Sequence, residues 1–215
     1  MSWFRKTIFP SFIKDYNELD FKVYDSCAIE ECEFVVLDAE TTGLEKSDMI
    51  ITMGAVHLKD FQINLNDVLD QNYGHEKGTA AAEVHGELPE MTSRELSELQ
   101  KELLLFIGNR IIVGHHISFD VSKINQMIST SHSGFKLKNK VLDTAQLLYR
   151  FNRERYDNEV GGMNNLQLDI ACQENGIPIE NRHTALGDAY MTAQLLMTQL
   201  TVAQRRGIDK LSKLL

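Results

Sequence analysis

Acids placed directly beyond apolar runs constrain this chain more than any other feature. Asp38 and Glu40 follow the run FVVL, Asp120 ends the stretch IIVGHHISFD, and His183 and Asp188 lie in HTALGDAYMTAQLL. Charge rarely enters the edge of a core without a partner, because an unpaired buried carboxylate loses its hydration. The fold must therefore bring something to these acids. A hard divalent cation is the natural partner, since magnesium and manganese prefer oxygen ligands. Four carboxylates around a metal pair, with a histidine to take a proton from water, are the parts needed to cut a phosphodiester.

The 215 residues suit one domain of generous size, and their 43% hydrophobic content allows a substantial core. No apolar stretch approaches the ~20 residues that span a bilayer. The opening MSWFRKTIFPSFIKDYNELDF has no apolar h-region or small-residue cleavage site and is not read as a signal peptide. Three cysteines, Cys27, Cys32 and Cys172, form no CxxC pair, so a reduced, cytoplasmic setting without a membrane is expected. The net charge of −9 is concentrated: residues 15–48 hold eleven acids against Lys22 and Lys46. An acidic protein has little to exchange for the counterions of duplex DNA. Metals and a local basic strip are the remaining means of gripping a nucleic acid. Candidates are Lys136, Lys138, Lys140, Arg150, Arg153 and Arg155, though any one of them alone reads more readily as a solvated face.

The pattern along the chain predicts a mixed sheet flanked by helices. Residues 1–30 are irregular, with room for one short helix. EFVVLDAE reads as a buried strand, and MIITMGAVHL and FQINL read as a hairpin joined by Lys59-Asp60. A helix capped by Thr92 or Ser93 is expected from Arg94 to Arg110, then a strand in RIIVGHH and a helix from Phe119 to Ile128. KVLDT is a short strand and AQLLYRF begins a helix. NRERYDNEVGGMNN reads as a polar loop. Asn165 is the expected cap of LQLDIACQEN, which Gly176 and Pro178 close, and Thr184 the cap of a long helix to Leu200. The tail 201–215 reads as a short amphipathic helix or a partner-binding segment.

Several acids and histidines need separate weighing. Asp38 and Glu40 are two apart on a strand, so both carboxylates project from one face. Asp120 alone reads best as a helix cap, but it also lies beyond the carboxyl end of a strand, where ligands collect in open α/β sheets. His183 and Asp188 converge best if the histidine precedes the helix and the acid sits in its first turns. Gly187 inside that helix suggests a close backbone approach. Asp143 is better read as a helix cap than as a ligand, and His115 and His116 as positioning or structural groups. His85, before the long first helix, either lines a cleft or makes a turn with Gly86.

DAETTGL, GHHISFD and HTALGDA resemble the three motifs of the DEDDh 3′–5′ exonucleases, the family of the proofreading epsilon subunit of bacterial DNA polymerase III. IITMGAV, VHG, LDT and LQLDIACQENGIP extend the resemblance over about residues 33–200. It implies a ribonuclease H-like fold with a mixed five-stranded sheet, an N-terminal extension over 1–32 and a tail from 201. It implies that Asp38, Glu40, Asp120 and Asp188 hold two divalent cations, Mg²⁺ or Mn²⁺, and that His183 is the general base. Thr41 and Leu44, with His85 and Phe119, would contact the substrate. The second motif often has Asn where this chain has His116, which touches a polar contact and not the metal set. The implied activity is release of nucleoside 5′-monophosphates from 3′ ends, favouring single-stranded DNA, in proofreading or repair beside a polymerase or repair partner. An RNA-trimming exonuclease and a non-catalytic nucleic-acid-binding protein on the same fold are the alternatives.

Overall fold

The computed structural model describes residues 9–74, 93–158 and 166–215. One sheet of five strands organises them, in the spatial order β3-β2-β1-β4-β5. The strands are β1 (Glu33–Thr41), β2 (Ile50–Lys59), β3 (Gln62–Asn72), β4 (Ile111–Gly114) and β5 (Val141–Asp143). The first three form an antiparallel meander, and β4 and β5 join parallel to β1. Helices α1 (Ser11–Glu18), α2 (Ser93–Ile107) and α3 (Ser118–Ser131) come from the chain around these strands. Helices α4 (Thr144–Phe151), α5 (Arg153–Asn158), α6 (Leu168–Glu174) and α7 (Ala185–Arg205) follow β5. Among the described residues no helix is long and apolar enough to cross a membrane.

Strand β1 is apolar on both sides because both faces of the sheet are covered. Val35 and Leu37 enter one core with Phe12, Ile13 and Tyr16 of α1, Leu103 and Ile107 of α2, and Ile124 and Ile128 of α3. Phe34 and Val36 enter the other with Ala193, Leu196, Leu200 and Ala203 of α7. Strand alternation then puts Asp38 and Glu40 on the α7 side, continuing the row Phe34, Val36. This parity decides which helix can meet the acids.

Several boundaries differ from the sequence expectation. The β2–β3 turn is Asp60-Phe61, with φ of 51° and 57°, one residue later than Lys59-Asp60. Two successive left-handed residues suit the twist of a two-residue hairpin. Part of the expected polar loop is helical: α5 closes over the buried Tyr156, with Arg153 paired to Asp157 one turn on. Helix α6 starts after Gln167, which makes no side-chain cap bond, and Thr92 and Asn165 lie outside the described residues. Gly176, at φ 68°, ends α6 as expected. Helix α7 runs on to Arg205, and the tail makes a short 3-10 turn (Leu211–Lys213) whose Leu211 and Leu214 are buried in the α7-side core. The tail is also tied to the segment that precedes β1, because Leu211 N–H bonds Cys27 O and Ala28 bridges Lys210.

Candidate active site

The site lies where β1 outruns its parallel neighbour. Strand β4 pairs with β1 only along Phe34, Val35 and Val36, and then the chain turns into α3. The main-chain N–H of Ala39 consequently lacks a strand partner on that side. The carboxylate of Asp120 takes it, with Oδ1 at 3.1 Å. Asp120 is therefore no helix cap: it sits in the first turn of α3 and completes the edge of β1.

On the other side Gly54 of β2 pairs with Asp38. A Cβ at Gly54 would lie 2.1 Å from the main-chain nitrogen of Leu186 and 2.4 Å from the carbonyl carbon of Ala185. The start of α7 thus rests directly on the sheet beside Asp38. Thr184 caps the helix, its Oγ1 accepting from Gly187 N–H at 3.2 Å. Gly187 makes the close approach expected of it, since a Cβ there would stand 2.3 Å from Asn181 O. The preceding loop is tight, with Asn181 at φ 51° and His183 at φ 63°.

These placements bring carboxylate oxygens of Asp38, Glu40 and Asp188 within 4.8 Å of one another. Asp120 is close enough for its charge to act on Asp38, but it does not belong to that tightest group. The electrostatic consequences are large. Burial pushes the Asp38 carboxyl well above its ordinary 3.8, and the charges of Asp120, Asp188 and Glu40 push it further. Burial lifts Asp120 to about 7 in spite of its hydrogen bonds from main-chain N–H groups. Asp188 is also raised, again chiefly by burial, with the nearby Arg182 opposing the rise.

Arg182 has a double attachment: its guanidinium donates to Asp188 Oδ2 and to Asp169 Oδ1. The main-chain N–H of His183 also supports the Asp188 carboxylate. The other oxygen, Asp188 Oδ1, is buried and has no hydrogen-bond partner among the described residues. An orphaned carboxylate oxygen on an acid clustered with two more is a donor set suited to a hard cation, and all the ligand atoms are oxygen. The residues present therefore fit a divalent metal.

The remaining predicted residues divide by position. His183 is exposed on the loop before α7, as the spacing required. Thr41 Oγ1 donates to Gly43 O at 2.7 Å, and Leu44, next along the same turn, is 86% exposed. Phe119 is half-buried at the start of α3, next to Asp120. His85 lies outside the described residues. Asp143 is the cap of α4, accepting from Ala145 N–H at 2.9 Å. His115 is structural: its ring nitrogens face Thr144 Oγ1 and Leu166 O, and burial drops its pKa to about 4.

Five of the six cations of the expected basic strip are engaged within the protein. Lys138 bonds Asn17 O, Lys140 pairs with Asp25, Arg150 holds the carbonyls of Lys213 and Leu214, Arg153 pairs with Asp157, and Arg155 with Glu174. Long cationic side chains spaced along a sequence point to different elements once folded, and these five each find an internal partner, while Lys136 is exposed. Sequence reasoning also missed Arg182 and Gly54. A glycine isolated inside the apolar strand ITMGAV was the available sign of a close backbone approach. Arg182 gave no sign beyond its adjacency to His183.

The family model described as Exonuclease (RNase T) matches residues 35–196. The chain belongs to that exonuclease family. A PolC-type DNA polymerase III from Thermotoga petrophila is 32% identical over 199 residues, which cover 89% of this chain and 13% of the relative's length. The matched exonuclease segment is thus a small part of such relatives. Among solved structures, E. coli exonuclease I in complex with a dT13 oligonucleotide superimposes with a TM-score of 0.63 at 16% identity, covering 82% of this chain and 42% of that one. Exonuclease X in complex with 5′ overhanging duplex DNA gives 0.56 at 16% identity, covering 80% and 93%. These likenesses establish the ribonuclease H-like fold for this family member, as the motifs implied.

Proposed function

We propose that this chain is a divalent-metal-dependent 3′–5′ exonuclease that hydrolyses the terminal phosphodiester of DNA to nucleoside 5′-monophosphates. The observation that carries the reading is the meeting of Asp38, Glu40 and Asp188 oxygens within 4.8 Å beside Asp120, with one Asp188 oxygen orphaned. Acids so arranged repel each other, and the charges of Asp120, Asp188 and Glu40 help to hold the Asp38 carboxyl above its ordinary range, so the arrangement is costly without a cation. Asp38, Glu40, Asp120 and Asp188 would hold two divalent cations, Mg²⁺ or Mn²⁺. When bound, such a pair supplies Lewis acidity at the phosphodiester and at the departing 3′ oxygen.

The chain's own side chains do the rest. His183 takes the proton from the attacking water, and its place on an exposed loop lets the imidazole reach the reacting phosphate. Leu44 and Phe119 hold the terminal base, and Thr41 contacts the same nucleotide. Single-stranded ends are favoured, because a terminal nucleotide must leave its stack to enter a cleft of this kind. The likeness to PolC-type polymerases supports work beside a polymerase or repair partner. The three free cysteines support a reducing, cytoplasmic setting.

The test is a digestion panel of single-stranded DNA, mismatched duplex DNA and short RNA, each with Mg²⁺ or Mn²⁺ at stated salt. Mononucleotide release from 3′ ends is expected, with single-stranded DNA the best substrate. Asp38→Ala should abolish it, and retained activity in that variant would overturn the assignment. Release from RNA alone would move the substrate class while leaving the chemistry.

A further inference from the structure

Lys123 is a lysine in an uncommon position. It lies on α3 three residues beyond Asp120 and four beyond Phe119, so the three side chains share one side of the helix. It is 4% exposed, and among the described residues it makes no ion pair with a carboxylate. Its Nζ instead donates to two main-chain carbonyls, Glu45 O at 2.6 Å and Asp48 O at 2.7 Å, and stands 5.3 Å from the centre of the Phe119 ring. Burying an ammonium costs hydration, which the nearby Asp48 charge offsets only in part, and an apolar side chain would fill the space without that penalty. What the ammonium adds is a fixed position for the turn over residues 42–49.

That turn is closed from within as well. Asp48 accepts from Thr42 Oγ1 at 2.8 Å and Glu45 N–H at 2.6 Å, and Thr42 N–H bonds Met49 O at 3.0 Å. A Cβ at Gly43 would lie 2.7 Å from Asp48 Oδ2, so the turn folds tightly over the Asp48 carboxylate. The side chain this turn presents is Leu44, the most exposed of the large hydrophobic residues described. A leucine held out on a turn braced from inside and from below is suited to press on a flat apolar surface such as a base.

We infer that Lys123 is a positioning residue: it sets the distance between Leu44 on the turn and Phe119 on α3, and so builds the clamp for the terminal base. The inference rests on the exonuclease reading and adds a residue to it. The ammonium acts through Leu44 and does not touch the substrate. Its geometry is fixed from both ends, by the helix that carries Asp120 and by the two carbonyls of the turn.

The test is steady-state kinetics on a single-stranded oligodeoxynucleotide with the full chain and Mn²⁺. Lys123→Met keeps an unbranched side chain one atom shorter and removes the donors. We expect it to raise KM about tenfold with kcat within about threefold, and to leave Mn²⁺ affinity by calorimetry unchanged. Leu44→Ala should raise KM similarly. The double variant should match either single one, because both changes undo the same clamp. Lys123→Arg, which restores donors, should recover most of the loss. An unchanged KM in Lys123→Met or in Leu44→Ala overturns the inference, as does a double variant whose KM rises by the product of the two. A parallel fall of kcat and thermal stability that Lys123→Arg does not rescue makes the residue merely structural and also overturns it. Failure of the exonuclease reading shows separately, as retained turnover in Asp38→Ala, and leaves the clamp without a role.

Discussion

Substituting Gly54 by alanine tests whether the docking of α7 on the sheet makes the site. The added Cβ would lie 2.1 Å from the nitrogen of Leu186 and 2.3 Å from its Cα, where ordinary contact begins at 3.4 Å. The obstacles are main-chain atoms, so no side chain can rotate away. Helix α7 must retreat by roughly 1.3 Å, taking Asp188 with it while Asp38 stays on the opposite strand. Overpacking of this kind costs about 1–3 kcal/mol. A domain of this size then loses about 2–12 °C in Tm. The functional loss should be larger, because ligand distances in metal sites hold to about 0.2 Å and a misplacement of about 1 Å can lower a rate about 10²-fold. The assays are mononucleotide release, Mn²⁺ titration calorimetry and thermal unfolding followed by circular dichroism. The expected variant is folded, somewhat less stable, and at least about 10²-fold slower, with weakened Mn²⁺ uptake. Wild-type turnover with wild-type Mn²⁺ affinity would refute the claim that this contact positions Asp188.

Three further outcomes follow from the charges. Asp120 is raised from 3.8 to about 7, so the folded metal-free protein holds a proton that the unfolded chain releases; stability should fall as pH rises from about 4 to about 7, by roughly 4 kcal/mol from this group. Mn²⁺ should therefore raise Tm more at pH 8 than at pH 5.5, and a metal-induced shift independent of pH would contradict the electrostatic account. Asp38→Asn should abolish turnover yet raise the Tm of the metal-free protein at pH 8, because it removes a buried carboxyl crowded by like charges; a lower Tm would count against it. Arg182→Gln should lower the Tm of the metal-free protein by a few degrees and strengthen Mn²⁺ binding severalfold by calorimetry, since the guanidinium already occupies one oxygen of Asp188; weaker Mn²⁺ binding would show that Arg182 orients the ligand and does not compete for it.

Much of the fold was legible because its signals are local. The run FVVL followed by two acids two residues apart predicts a doubly buried strand with both carboxylates on one face, and β1 has that form. Thr184 as a helix cap, Asp143 as another, and Gly187 as a close approach each rest on the chemistry of one or two residues, and each was found. The helix α5 was not legible, since its polar sequence gives no periodicity and its stability depends on Tyr156 reaching a core made by other elements. The basic strip failed for a related reason: Lys140 and Arg155 meet Asp25 and Glu174, partners distant in the chain.

The amino-acid order by itself determined which groups are available: the acids beyond apolar runs, the histidine ahead of a helix, the strands of period two and the helices of period 3.6. Tertiary structure decided which of those groups meet. Asp120 reaches Ala39 because β4 stops short of β1, Asp188 reaches Asp38 because Gly54 has no side chain, and Lys123 reaches the turn that carries Leu44 from a helix distant in sequence. Periodicity and capping are properties of neighbouring residues. Strand length, helix docking and the pairing of buried charge depend on the packing of the whole chain, and no window of sequence contains them.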